Sequence, residues 1–211
     1  MARNAASVKP VRLEEQTRAR ILAEAAEWFA GSGYAATSMR DIAGAVGLTP
    51  GALYVHFPSK GQLLLAVYAE GVARIGAAVD AAVAAQAGDA AWERLAAAAQ
   101  AHLSVLLDRA GFARVMVRVV PDDVPEVAQG LRHLRDSYEA RFVTLFAALD
   151  LASHADPRLL RLMLLGALNA TQLWAKPDAG RYSAAEIARQ YVRAIRAGVE
   201  APSTSTREPA P

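Results

Sequence analysis

Residues 38–62, SMRDIAGAVGLTPGALYVHFPSKGQ, hold three helix-start signals separated by glycine and proline breaks, and that density leaves few folds open. Ser38 followed three residues later by Asp41 is a capping box, which opens a helix at Met39 whose inward face is Met39, Ile42, Ala43 and Val46. Gly47 stands where that helix ends and the chain turns through positive φ, a region glycine enters without a Cβ clash. Thr49 then serves as N-cap, with Pro50 at the first helical position, where a missing N–H costs nothing. The helix stops near His56, and Ser59 with Gln62 opens the next, longer one. A small Ala43 at the crossing, a turn at Gly47 and Leu53 plugging the core beneath describe a helix-turn-helix. In such units the second helix sets its N-terminal residues, here Thr49, Pro50, Gly51 and Ala52, against base edges in the major groove. An αα-corner in an enzyme uses the same turn chemistry and accounts equally for the glycine and the caps. It gives no reason for exposed Tyr54, His56 and Lys60. A phenol or imidazole donor beside a lysine at a helix start suits a phosphate oxygen, although each taken singly is as often an ordinary core residue.

The rest of the chain reads as all-α. Ala and Leu, both strong helix formers, dominate between breakers, and apolar residues recur at helical spacing. The spacing predicts about nine helices: Glu14 to Ala30, the two short helices, Lys60 to about Gln86, and others near Ala90–Asp108, Phe112–Val119, Pro125–Asp150, Pro157–Ala175 and Ala184–Glu200. The β-branched run RVMVRVV (114–120) has no partner strand and is read as a short helix. In the first helix Ile21, Leu22, Ala25 and Phe29 share one stripe, so it packs through one side only. The expected organisation is a basic arm over 1–13, unstructured and holding Arg3, Lys9 and Arg12 without an acid; a helix-turn-helix head over 14–58; a helical body over 59–200; and an unstructured Pro/Ser/Thr tail over 201–211. The arm's charge fits a mobile basic arm and equally a plain solvated terminus.

Bulk properties narrow the function by exclusion. With 211 residues the chain can bury a sizeable core, and without cysteine it has neither a disulfide framework nor a thiolate metal site. Charges in the first twenty residues stand where a secretory signal needs an apolar run, so a cytoplasmic location is expected. The apolar stretch LLRLMLLGALNATQLWA is interrupted by Arg161, Asn169 and Gln172 and reads as a buried helix rather than a membrane span. Net charge is only +2, so a case for nucleic acid rests on where the charges lie. The four histidines show no i, i+4 metal pairing, and there is no G-x-S-x-G, phosphate-binding glycine loop or cysteine nucleophile, which leaves an enzyme reading with no site and implies no cofactor or metal.

Residues 21–64, ILAEAAEWFAGSGYAATSMRDIAGAVGLTPGALYVHFPSKGQLL, closely resemble the DNA-binding head of TetR-type transcriptional regulators, through F..GY..TS...IA followed by G...GALY.HF..K..L at unbroken spacing. The resemblance implies an all-helical homodimer of about nine helices that binds a palindromic double-stranded operator and whose divergent C-terminal part binds a small molecule. Residue by residue, it implies that Thr37, Ser38 and Arg40 face DNA at the second helix, that Thr49, Pro50 and Gly51 lie against bases, and that Tyr54, His56 and Lys60 hold the phosphate backbone. Residues 161–192, through LLGALN.T..W and S..EIA.QYV, look like the subset that represses fatty-acid and sterol-ring catabolism and responds to acyl-CoA thioesters.

A dimer has independent support in the sequence. The Pro157–Ala175 helix is apolar on several faces, and the last helix offers Ile187, Gln190, Tyr191, Ala194 and Ile195 at helical spacing; two such helices per subunit make a four-helix interface, or both lie in a monomeric core. A single head reads few base pairs, whereas a symmetric dimer reads half-sites one turn apart. Candidate walls for the ligand site are Leu103, Leu107, Phe112, Met116, Tyr138, Phe142, Leu165, Asn169 and Trp174, several of which are expected to be plain core. Asn169 and Gln172 need partners inside an apolar helix, either in the pocket or across the dimer. Arg114 and Arg118, one turn apart, present either a solvated face or a receptor for a CoA phosphate. The expected mechanism is a ligand that binds the released state more tightly than the DNA-competent one, with the long fourth helix as lever and a repressor as the outcome. The alternatives are a regulator sensing an apolar ligand without CoA, a small helical enzyme, and an architectural DNA binder, for which the large body would be unnecessary.

Overall fold

The computed structural model describes residues 8–199 apart from 87, 89, 109–110 and 176–181, with side chains from residue 13 onward. Among these, nine α-helices and one 3-10 turn occur and no strand: α1 Val8–Gly31, α2 Met39–Ala45, α3 Pro50–His56, α4 Lys60–Ala85, α5 Ala91–Leu107, α6 Gly111–Arg118, the 3-10 turn Pro121–Asp123, α7 Ala128–Ala147, α8 Pro157–Trp174 and α9 Ala184–Val199. The expected all-α reading holds, and RVMVRVV lies in α6 up to Arg118.

Two boundaries differ from expectation. Residues 8–13, assigned to the arm, belong to α1, whose Pro10 falls in the first turn, where no intrahelical N–H bond is lost. Residues 1–7 of the arm and the 201–211 tail lie outside the described residues. Helix α7 starts at Ala128 and not at Pro125, because the preceding residues take short-range bonds, Val124 N–H to Pro121 O (3.1 Å) and Val127 N–H to Val124 O (3.1 Å), that bury both valines. Packing also divides the chain differently from the expected head and body. One unit comprises residues 1–77 and 105–138, the other 78–104 and 139–211. Helix α6 packs on α1 within the first unit.

In the first unit α1 presents Ile21, Ala25 and Phe29 to a core completed by Ile42, Leu53, Leu63 and Leu131, all fully or nearly fully buried. Helix α6 approaches α1 closely through Gly111, where an added Cβ would fall 2.6 Å from the backbone carbon of Ala26. Glu27 of α1 accepts the Gly111 N–H (2.7 Å) and pairs with Arg114 (2.5 Å), while Arg118 donates to the Ala30 carbonyl. Both α6 arginines thus reach α1, while Arg118 stays exposed and Arg114 half-exposed.

In the second unit Leu95, Leu103, Phe142, Phe146 and Leu168 form the core. Asp156 caps α8 through Arg158 N–H (2.8 Å), with Pro157 at the first position. Ser183 and Glu186 form a reciprocal capping box on α9 (2.7 and 3.2 Å). Arg161 pairs with Glu139 where both are partly buried, and Arg141 reaches both Asp80 oxygens (2.8 and 3.0 Å). Among the described residues α4 alone is long and apolar enough to cross a membrane, and half of its most apolar window is buried inside the protein, through residues such as Val72, Ile75 and Val79.

Candidate nucleic-acid interface

The α2–α3 corner is held by bonds legible in its residues. Ser38 Oγ accepts the Asp41 N–H (3.2 Å) and the Asp41 carboxylate accepts the Ser38 N–H (3.1 Å) and hydroxyl (2.6 Å). The Ser38 hydroxyl, and then its backbone N–H, hold the Asp41 carboxyl below the usual carboxylate range. At the other end of α2 the Leu48 N–H reaches Ala43 O (2.8 Å) and the Gly47 N–H reaches Gly44 O (3.1 Å), with Gly47 at φ 70°. This paired closure requires a left-handed residue, and glycine fills it without strain. Thr49 Oγ1 accepts the Ala52 N–H (3.2 Å), and Leu53 is fully buried beneath the crossing. Arg20 of α1 donates to Val46 O at the end of α2 (3.0 Å), a long-range strut with no local signature.

With Leu53 inward, α3 turns Thr49, Pro50, Gly51, Tyr54 and Val55 outward. Tyr54 is 49% exposed and Val55 84% exposed. Neither Tyr54 nor the exposed Arg40 on the first turn of α2 has a hydrogen bond or ion pair among the described residues. No carboxylate lies in α3. A helix bearing an exposed phenol, with open backbone around Gly51 and a guanidinium on the preceding helix, can approach a groove closely and donate to phosphate oxygens.

Three expected contacts have other work. Thr37 is buried, its hydroxyl donating to Gly33 O (2.8 Å) and lying 3.3 Å from Trp28 O, so it ties the loop to the end of α1. The Ser38 hydroxyl is engaged by Asp41. Lys60 is turned inward: its ammonium donates to the carbonyls of Tyr34 (2.8 Å), Thr37 (3.0 Å) and Ala35 (3.4 Å) and lies 4.3 Å from the centre of the Tyr34 ring. A cation here satisfies carbonyls that the α1–α2 loop leaves open, so a phosphate would have to displace the fold's own acceptors. His56 is half-buried at the end of α3, where it lines a cleft with Arg18 and His133.

The same loop is fastened by a pair that sequence reasoning missed. The Tyr34 hydroxyl donates to Glu126 (2.6 Å) across 92 residues of chain. Burial, and then the acceptor carboxylate, push the phenol pKa up, and the phenol holds the Glu126 carboxyl down. Only pairing in three dimensions shows it.

The ligand-wall candidates divide between the two units. Leu107, Phe112, Met116 and Tyr138 belong to the first; Leu103, Phe142, Leu165, Asn169 and Trp174 belong to the second. In the second unit His102, buried, meets Phe142 edge-on at 6.2 Å and hydrogen-bonds Asn169. Burial lowers the His102 pKa to about 4, partly offset by Asn169. Trp174 is 50% exposed and stands with Leu173, Leu159, Leu162 and Met163 among the exposed apolar residues of α8.

Comparison with known proteins agrees with this geometry. Residues 21–67 match the family model for bacterial regulatory proteins of the tetR family, and residues 88–199 match that for the tetracyclin repressor-like C-terminal domain. No significant match occurs among curated proteins. Among solved structures the chain is similar to PfmR, a TetR family transcriptional regulator from Thermus thermophilus (30% identity, 83% of this chain and 96% of that one, TM-score 0.67). It is also similar to a tetR-family regulatory protein from Rhodococcus RHA1 (29%, 84% and 94%, 0.70) and to AibR in complex with isovaleryl coenzyme A and operator DNA (25%, 83% and 96%, 0.71). With both parts of the chain matched and the helix-turn-helix built as described, the protein belongs to the TetR family of ligand-responsive, DNA-binding transcriptional regulators.

Proposed function

We propose that the protein is a homodimeric repressor that grips a palindromic operator through the outward face of α3 and the start of α2, and leaves it when an acyl-CoA thioester binds. The observation that carries the DNA part is the open face of α3: Thr49, Pro50, Gly51 and Tyr54, with Arg40 beside them, have backbone and donors facing solvent. In this reading Thr49 to Gly51 lie against bases, while Arg40 and Tyr54 hold phosphate. Thr37, Ser38 and Lys60 shape the head that carries them.

Dimerisation is a property of the family, and the exposed apolar residues of α8 support its use here: Leu159, Leu162, Met163 and Leu173 are each 45% or more exposed on one helix. Leaving such a set in water is unfavourable, and a second copy of the same helix covers it by symmetry. For the effector, buried His102, paired with half-buried Asn169, lies in the same unit as buried Leu103, Phe142 and Leu165, which suits an acyl chain with a carbonyl to hold. The solved complex of AibR with isovaleryl coenzyme A favours the thioester class over other apolar ligands.

Titration of the protein against the DNA flanking its own gene, with and without isovaleryl-CoA and longer acyl-CoAs, tests the proposal. Sequence-selective binding that weakens with one acyl-CoA is the expected result. Binding without sequence preference would remove the repressor reading; selective binding unmoved by any acyl-CoA would remove the effector class alone.

A further inference from the structure

Beside the end of α3 lies a cleft of about 440 Å3 walled by α1, α3, α4 and α7, all within the first unit. Its floor is apolar: Phe57 follows α3, Leu65, Ala66 and Ala69 come from α4, and Leu134 comes from α7. Gly130 permits this approach of α7 to α4, since a Cβ there would fall 2.9 Å from a Leu65 methyl. The polar groups on the walls are Arg18, His56, His133 and Gln62, and no carboxylate lines the cleft.

Arg18 points to what the cleft takes. Glu14, one turn back on α1, stands at the favourable spacing for an ion pair. The guanidinium instead lies 4.4 Å from the centre of the Phe57 ring, and it makes no ion pair or hydrogen bond among the described residues. A guanidinium laid on the aromatic floor keeps its N–H groups for an incoming anion. Two imidazoles and an amide add donors, and nothing on the walls repels negative charge. The volume falls within the range of small-molecule sites, about 300–1,000 Å3, which combine an apolar lining with a few placed polar groups.

We propose that this cleft is a binding site for a small amphipathic carboxylate, with the carboxylate on Arg18 and the imidazoles and the apolar part over Phe57, Leu65 and Leu134. His102, Leu103, Phe142 and Asn169 are not among its lining residues. Because His56 ends α3 and Phe57 follows it, an occupant touches the recognition helix. It biases that helix to the extent that it binds one orientation better than another.

Calorimetric titration of the full chain with octanoate, 1-octanol and inorganic phosphate tests the site without any operator or acyl-CoA. Octanoate is expected to bind at least about tenfold more tightly than the alcohol or phosphate, the scale of one hydrogen bond to a charged group. Arg18→Gln and His133→Ala should each weaken octanoate, Arg18→Gln by about tenfold. Ala69→Leu, which fills the floor, should abolish binding while the circular dichroism remains that of the parent. The proposal is overturned if octanoate does not bind the parent protein, if 1-octanol or phosphate binds as tightly, or if binding survives unchanged in both Arg18→Gln and Ala69→Leu.

Discussion

Replacing Gly111 by alanine tests the contact that most directly joins α6 to α1. The new Cβ would lie 2.6 Å from Ala26 C and 2.8 Å from Ala26 O, and both are backbone atoms that no rotamer change can move. Restoring an ordinary contact of about 3.5 Å requires the two helices to part by close to 1 Å. The Gly111 N–H to Glu27 bond, now 2.7 Å, would then stretch beyond useful length, and the Arg114–Glu27 and Arg118–Ala30 contacts would stretch with it. Overpacking costs about 1–3 kcal/mol and the loss of a hydrogen bond to a carboxylate about 1.5–3 kcal/mol. Relaxation of one lessens the other, so about 2–4 kcal/mol is expected. For a chain of this size that lowers the melting midpoint by about 4–16 °C. Gly44→Ala is the matched control: it sits in helical backbone with nothing within 4 Å of the new methyl, and alanine there should raise stability by about 0.5–1 kcal/mol. Thermal and urea unfolding followed by circular dichroism read both variants. A Gly111→Ala midpoint within about 1 °C of the parent would refute the claim that the α6–α1 contact is close and rigid.

Lys60→Ala should destabilise the fold by about 1.5–3 kcal/mol, because loop carbonyls lose a charged donor, and should leave the salt dependence of operator affinity unchanged. A reduced salt slope with unchanged stability would return Lys60 to the phosphate. Arg40→Ala should weaken binding to all operator sequences alike and reduce the salt slope by about 1 for each phosphate left without its cation, measured by fluorescence anisotropy over a salt series. His102 has a folded pKa of about 4 against 6.5 for the free side chain. The unfolded chain therefore binds the extra proton between those values, and stability should fall by roughly 1.4 kcal/mol per pH unit as pH drops from about 6.5 towards 4, and be flat above. Urea titrations should show His102→Gln losing that slope; a slope equal to the parent's would clear His102. Met163→Glu on the exposed face of α8 should give a monomer by sedimentation with its helical content intact, and a dimer of undiminished affinity would place the interface elsewhere.

What could be read from the residues was whatever is settled within a turn or two of chain. Ser38 with Asp41, Gly47, Thr49 with Pro50, and Asp156 before Pro157 act on neighbours three or four residues away, and each cap and turn stands where those residues place it. Roles that depend on a distant partner were not legible. Lys60 has the look of a phosphate ligand until its partners are found 23 to 26 residues back in the α1–α2 loop. Arg114 shows no sign in its own neighbourhood of Glu27, 87 residues away. Thr37 and Ser38 are adjacent hydroxyls with opposite fates, because one faces the end of α1 and the other caps α2. Periodicity on α8 could not separate the buried Leu165 from the exposed Met163, since both faces of that helix are apolar and only the packing says which is covered.

The placement of cations carries a consequence for how this head meets DNA. Three of them close helix ends or loops: Arg20 on Val46 O at the end of α2, Arg118 on Ala30 O in the last turn of α1, and Lys60 on the carbonyls of Tyr34, Ala35 and Thr37. Positive charge at such carbonyls is favourable, and there it serves the fold before any ligand arrives. Arg114 is neutralised by Glu27. A count of basic residues therefore overstates the charge offered to phosphate. Outward near α3 among the described residues stand Arg40, with Tyr54 and the backbone around Gly51 as neutral donors, and Arg18, laid over the Phe57 ring. Counterion release scales with the number of phosphates neutralised, and each cation already engaged by the fold lowers that number. Fit in the groove and the pairing of two heads then carry more of the operator affinity than the basic count suggests. That makes operator binding sensitive to small displacements of α3, as a ligand-released repressor requires, because interactions that depend on fit fade over shorter distances than interactions that depend on charge.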